Sequence, residues 1–354
     1  MTMQIAIAYT NPVGLPVLDE DGRVTGHDAG ATLVRRLLRV FPDAVLVGHE
    51  ARSGPVPVVP LADLDTDSTV VLNMDVLDSP DLWRRLARDG GEPRIMNFLW
   101  WNVATHHTHR VARSSLALSC ALFPTFANSE RTASEIREVV RMFTVPPLAE
   151  RAVIAWVDLG IRLEHVQPRT PTDVPVVLYP AIYLSERKQP RLFVDVVEQV
   201  RARTPLTVEM RLHEQHLVSE LAMRFSRHDW TWVGPLTSDR ESYWQALSRT
   251  TAFLATSVDE SYGLEYVEAL VAGAVGVFPD LAWARAILPT RYPFLYGDPA
   301  QAQAMLLRAV EDTDGCREEL DACVGGDFQG WLRGRHDDDV FERAIAERVR
   351  EWFA

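Results

Sequence analysis

Two glutamates, Glu260 and Glu268, stand with seven residues between them, and the turn Tyr262-Gly263-Leu264 lies inside that interval. Amides around Gly263 and Leu264 open a helix there, and the unpaired N–H groups of a helix start are a ready phosphate site. Glycine at the turn lets the backbone approach a ligand closely. A carboxylate on each side of the phosphate could then hydrogen-bond sugar hydroxyls, one set at each end of a nucleotide sugar. A helix starting near Gly263 puts Leu264, Val267, Val271 and Val275 on one side. At ~100° per residue Glu268 falls about 40° from Leu264, inside that stripe, while Tyr266 points away. Spacing alone equally describes a Glu-rich surface helix. The stripe position argues otherwise, because a carboxylate facing a core is costly unless something there needs it.

The elements that must position these residues alternate in a regular way. Short β-rich runs occupy 3–9, 44–48, 68–74, 94–100, 122–128 and 151–157, with helical stretches between them such as 31–41 and 129–143. The second of those helices is signalled by Ser129 as its cap, since Thr132 stands where a capping box would have Glu. After the proline-rich VQPRTPTDVP (166–175) the alternation restarts, with strands expected at 176–181, 206–212, 231–234, 251–256 and 275–278. Helices are expected at 191–202, around 217–225, at 243–249 and over the amphipathic tail. Alternation of this kind is the mark of parallel α/β sheets. The expected organisation is a Rossmann-like domain over 1–165, a linker at 166–175, a second domain of the same class over 176–335, and a C-terminal helix over 336–354. In such sheets ligands bind outside the carboxyl ends of the strands, where every candidate residue falls.

Composition narrows the function classes. Lys and Arg total 36 against 49 Asp and Glu in 354 residues, a net charge of −13, which argues against nucleic acid as a main partner. No apolar run reaches the ~20 residues of a membrane span and no signal peptide is evident, so the expectation is a cytoplasmic protein without membrane insertion. Cys120, Cys316 and Cys323 have neither the number nor the spacing of a disulfide framework or a zinc site. Asp63, Asp65 and Asp67 form an Asp-x-Asp pattern, but it precedes a strand and reads as a solvated connection. His336 and the three aspartates after it place carboxylates at the start of the final helix, where its dipole favours them.

The stretch DESYGLEYVEALVAGAVGVFPD resembles the signature of the family 4 retaining glycosyltransferases of GT-B fold: Glu, seven residues and Glu around an aromatic-Gly-Leu core, then an Ala-Gly turn. A weaker likeness runs from about residue 153 to the end of the second domain. IAWVDLGIRLEHVQP is similar to the interdomain segment, with Arg162 where an Asp is usual. LYPAIYLSERKQPRLFVDVVEQV is similar to the donor-phosphate strand, loop and helix, and TWVGPL, with Gly234, to the strand before the base loop. The resemblance implies two Rossmann-like domains facing across a cleft, with the C-terminal helix crossing back to the first domain. It implies that Glu268 binds ribose hydroxyls, that Glu260 meets a hydroxyl of the donor sugar, and that Tyr262, Gly263 and Leu264 line the phosphate. Lys188 matches the lysine that neutralises the donor diphosphate, whose charge grows as it leaves; taken by itself it is equally a solvated loop lysine. Family members add an arginine five residues earlier, where this chain has Tyr183, and Arg187 is the obvious substitute.

WWNVATHHTH follows the fourth expected strand, where the family has a histidine that reaches the donor sugar; His106 and His107 are candidates, with His109 close by. Trp101 and Asn102 are acceptor-side candidates, though Trp100 and Trp101 read equally as core aromatics. The first rim departs from the family, since a small hairpin turning at Asp21-Gly22 precedes TGHDAGA. Gly26, His27 and Asp28 are acceptor-side candidates there, or an ordinary loop with an N-cap aspartate. The resemblance implies no metal and no cofactor beyond a nucleotide diphosphate sugar as co-substrate, UDP- or GDP-linked, while the acidic chain and the balanced Arg and Glu of SERTASEIREVVRMF argue for a small soluble acceptor over a lipid. A nucleotide-sugar 2-epimerase and a non-catalytic nucleotide-sugar binder are the competing readings.

Overall fold

A computed structural model describes residues 3–11, 16–26, 29–106, 109–236 and 240–354. The chain divides into two compact units, Leu159–Asp338 and the pair of segments Met1–Asp158 and Asp339–Ala354.

The first unit is built on seven parallel strands: β1 (Gln4–Ala8), β2 (Val45–Gly48), β3 (Val58–Pro60), β4 (Thr69–Asn73), β5 (Arg94–Leu99), β6 (Thr125–Ala127) and β7 (Ile154–Trp156), in the order β3-β2-β1-β4-β5-β6-β7. Ala6 of β1 aligns with Val45 on one side and Val71 on the other. The central strands read QIAIA and TVVLN without polar alternation, as strands covered on both faces must. The short edge strand β3 was not among the expected strands; its PVPVVP stretch is rich in proline, which is tolerated at the edge of a sheet. Ser129 caps the helix Glu130–Phe143 as expected, its Oγ accepting from Thr132 N at 3.1 Å. The hairpin is present too, with Leu18 bridging Val24 and Gly22 at φ 75° in its turn. The last helix, Asp338–Phe353, is anchored in this unit: Phe341, fully buried, meets the rings of Phe98 and Phe126 at 5.9 and 6.2 Å, and Glu342 pairs with Arg39.

The second unit carries six parallel strands: β8 (Val176–Tyr179), β9 (Thr207–Leu212), β10 (Thr231–Pro235), β11 (Ala252–Leu254), β12 (Val275–Pro279) and β13 (Leu295–Tyr296), in the order β10-β9-β8-β11-β12-β13. The stretch Leu295–Tyr296, beyond the last expected strand, supplies β13, which pairs with β12. The helix expected around 217–225 is two, Glu214–Leu217 and Glu220–Phe225, because Ser219 Oγ caps the second by accepting from Ala222 N. Residues of the proline-rich stretch bond within this unit, Thr170 N donating to Ser248 O at 3.0 Å.

In both sheets the strand order reverses once, between β1 and β4 in the first and between β8 and β11 in the second. At such a reversal the loops leaving neighbouring strands run to opposite sides and leave a crevice, which is where doubly wound sheets hold their ligands.

Candidate active site

The loops leaving β8 and β11 carry the charged residues of the second unit. After β8 the chain reaches the short turn Glu186–Lys188 and then Gln189, whose φ of 43° makes it the only positive-φ non-glycine residue among those described. That conformation costs a side chain of this kind about 1–3 kcal/mol, so the surroundings must hold it. They do so through the β11 loop: Thr256 Oγ1 donates to Lys188 O at 2.6 Å, while Val258 N and Ser257 Oγ donate to Arg187 O at 2.9 and 3.3 Å. Trp283 Nε1 pins the same loop from behind by donating to Ser257 O at 3.1 Å.

This pinning brings Lys188 onto two carboxylates. Its Nζ lies 2.5 Å from Glu260 Oε1 and 2.7 Å from Glu265 Oε1, and Tyr266 Oη donates to Glu260 Oε1 at 3.0 Å. Burial by itself would lower the lysine pKa, but Glu265 and Glu260 outweigh it and hold the ammonium above its ordinary range. Burial and then Glu265 push the Glu260 carboxyl upward, against the pull of Lys188. One ammonium shared by two carboxylates leaves the cluster one charge short of neutral when all three ionise.

Gly263 heads the helix Leu264–Val271 with φ 86° and ψ 51°, a left-handed conformation, and a Cβ there would meet Tyr266 Cδ2 at 2.7 Å. Both facts call for glycine. Glu268 is buried, 9% exposed, as its stripe position implied, and its Oε2 accepts from Tyr243 Oη at 2.8 Å. Tyr266 does not point away: it is 1% exposed. Every residue from Tyr266 to Val271 is buried, so this helix has almost no outer face and the periodicity argument loses its meaning.

The remaining donor-side candidates divide. Leu264 is half-buried at the helix start, and Arg187 is exposed, its Nη2 donating to Asp259 O at 3.3 Å beside Glu260. Tyr262 turns inward: it is 4% exposed and its Oη bonds His336 Nδ1 at 2.6 Å, so it anchors the loop. His336, fully buried, also faces Ile287 O, and burial lowers its pKa to about 4, so the ring is neutral. Tyr183 stacks on His213 at 5.6 Å and meets His216 edge-on at 5.5 Å. Gly234 lies in β10, where a Cβ would meet the Trp232 ring at 2.4 Å; the glycine makes room for that indole, over which Arg211 sits at 5.0 Å.

In the first unit the rim is less fully described. His27, Asp28 and His107 lie outside the described residues, and His106 ends the short turn Val103–His106. Gly26, at φ 82°, accepts through its carbonyl from Arg35 Nη2. Trp101 packs against the hydrophobic cluster of Val76, Leu99 and Leu116, and Asn102 Oδ1 accepts from Ala104 N at 2.7 Å. Among the described residues no group of three or more His, Cys, Asp or Glu is placed to hold a metal ion, and no helix is long and apolar enough to cross a membrane.

Four participants escaped the sequence reading. Glu265 sits inside the Glu-x7-Glu interval, yet an acidic residue in a first helical turn has an ordinary explanation in the helix dipole. Tyr266 and Tyr243 reach their glutamates only through the fold. Asp75 stands after β4 at the reversal of the first sheet; burial raises its carboxyl pKa against hydrogen bonds from Thr10. Its signal was an aspartate ending an apolar strand.

No protein-family model matches the sequence, and no curated protein does. Solved structures match the fold over nearly the whole chain. HepE of Anabaena in complex with UDP superposes with a TM-score of 0.72 at 13% identity, covering 99% of this chain and 100% of that one. Sucrose-phosphate synthase from Thermosynechococcus elongatus gives 0.71 at 11% identity, with 99% of each chain covered. A UDP-forming α,α-trehalose-phosphate synthase from Burkholderia xenovorans gives 0.69 at 10%, again with 99% of each covered. The two parallel α/β sheets are those of the GT-B fold.

Proposed function

We propose that the protein is a retaining glycosyltransferase of the family 4 type, moving a sugar from a nucleoside diphosphate donor to a small soluble acceptor in the cytoplasm without a metal ion. The observation that carries this reading is the cluster at the β8/β11 reversal: Lys188 between Glu260 and Glu265, beside the helix start at Gly263 and one helical stretch from Glu268. A diphosphate arriving there competes with both carboxylates for the ammonium. Once Lys188 turns to the phosphate, Glu260 is released to accept from a sugar hydroxyl, and the amides of Gly263 and Leu264 complete the anion site. Glu268, held by Tyr243, accepts from the ribose. As the glycosidic bond breaks, the growing negative charge of the leaving diphosphate is met by a fixed cation, and its oxygen takes the acceptor proton on the same face of the sugar.

The base is uracil on this reading, supported by the UDP and UDP-glucose that accompany HepE in its structures. A specialised small-molecule pathway is favoured by the unusual hairpin of the first rim. A non-catalytic nucleotide-sugar binder is the second reading, favoured by Tyr183, which stacks on His213 and meets His216 edge-on in the place of a second cation.

A thermal-shift screen over UDP-, GDP- and dTDP-sugars, followed by NMR of the product, tests the proposal. It expects stabilisation by a UDP-sugar and, with acceptor, a product of unchanged anomeric configuration. An epimer formed from the donor alone would make the protein an isomerase. Stabilisation with no nucleotide released by any acceptor would make it a binder.

A further inference from the structure

At the carboxyl end of the helix Leu264–Val271, away from Gly263, the second unit forms an open-mouthed cavity of about 340 Å³. Three arginines line it, Arg169, Arg317 and Arg333, with Gln329 and Phe328, in a chain whose net charge is −13. Gly273 brings two of them together. Its φ is +88°, a Cβ there would meet Arg169 Cδ at 2.9 Å, and its carbonyl accepts from Arg317 Nη2 at 3.3 Å. Arg169 is half-buried; it donates to Thr250 O and meets no carboxylate among the described residues. Burial and the neighbouring Arg317 lower its pKa to about 10, the behaviour of a guanidinium short of an anion.

The carboxylates nearby are otherwise engaged. Arg317 pairs with Asp314 at 3.1 Å on the solvent side, where that aspartate is almost wholly exposed. Asp321, which also lines the cavity, accepts at its Oδ1 from Phe328 N at 2.9 Å. Gln329 supplies a second, independent feature. Its Nε2 donates to Leu270 O at 2.9 Å, which fixes the orientation of the amide, and its Oε1 is left buried without a partner. A buried acceptor without a donor costs about 1–3 kcal/mol.

We propose that this cavity binds a small phosphate monoester that also carries a hydroxyl, the phosphate held by Arg169, Arg317 and Arg333 and the hydroxyl donating to Gln329 Oε1. Guanidinium forks match phosphate oxygens in pairs, which three ammonium groups would not do. The volume is that of a small-molecule site. The site stands independently of the donor reading, since none of its residues belongs to the Lys188 cluster.

Calorimetric titration of the full chain with glycerol 3-phosphate and with inorganic phosphate tests it. Wild type is expected to bind glycerol 3-phosphate saturably and more tightly than phosphate. Arg169→Gln weakens binding about tenfold and Arg333→Gln, at an exposed position that does not endanger the fold, about fivefold, whereas Lys188→Ala leaves it unchanged. The proposal is overturned by absence of saturable binding up to about 10 mM, by equal affinity in wild type and Arg333→Gln, or by loss of binding in Lys188→Ala. Equal affinity for the two probes removes the hydroxyl contact.

Discussion

The two sheet reversals of this chain are furnished in opposite ways. Between β4 and β5 of the first unit, beside the half-buried Asp75 carboxyl, a network of neutral polar groups closes on itself. Asn73 Nδ2 donates to Ser79 Oγ at 2.7 Å, Ser79 Oγ to Asn97 Oδ1 at 2.5 Å, and Asn97 Nδ2 to Thr125 Oγ1 at 3.1 Å, all buried. At the β8/β11 reversal the groups are ions, largely buried, and one ammonium serves two carboxylates. A closed neutral network asks for nothing further and holds strands in register. An ion cluster with a charge left over is expensive to keep and is relieved by a ligand that re-partners its members.

The largest effect expected from this contrast is on chemistry. Lys188→Ala should lower turnover about 10²–10³-fold while the protein stays folded, as removal of a fixed charge facing a leaving group does. A loss of fivefold or less in initial rate would reclassify the cluster as structural. Next comes the neutral anchor behind the charged loop. His336 has a folded pKa of about 4 against 6.5 for a free histidine. Its contribution is therefore whole above about pH 6.5 and is lost as pH falls toward 4, where the unfolded chain takes the proton and the folded chain does not; this amounts to about 3 kcal/mol. Denaturant unfolding at pH 6.5 and pH 4 should show that His336→Gln lacks this share of the pH dependence.

In the first unit Asn97→Ala should cost about 2 kcal/mol of stability by stranding Ser79 and Thr125, and leave nucleotide affinity untouched. A change in nucleotide affinity there would erase the distinction between the two reversals. The smallest effect belongs to Tyr243→Phe. It removes one hydrogen bond to Glu268, which should weaken nucleotide binding by about fivefold with stability little altered, read by competitive titration.

Much of the fold follows from local pattern. The apolar runs that became β1, β4 and β5 are buried on both faces, and Ser129 caps its helix where the sequence says it should. Lys188, Glu260 and Glu268 stood out because motif and strand end coincide, and the structure brings Lys188 onto Glu260 and buries Glu268. What stayed hidden depends on contacts between distant residues. Tyr243 and Glu268 are 25 positions apart, and Lys188 meets Glu265 across 77. Tyr266 was misplaced because a 3.6-residue period sorts faces only on a helix that has an exposed side, and Leu264–Val271 is nearly enclosed. Edge strand β3 was hidden by its prolines, which mark a turn in most contexts and an edge in this one.

The central claim is that the charged reversal is a nucleoside diphosphate site, and titration of UDP into wild type, Glu268→Ala and Lys188→Ala tests it most directly. The account predicts saturable binding to wild type, weakened about tenfold or more in each variant, with the Lys188→Ala deficit disappearing when uridine replaces UDP. Unchanged UDP affinity in both variants would contradict it.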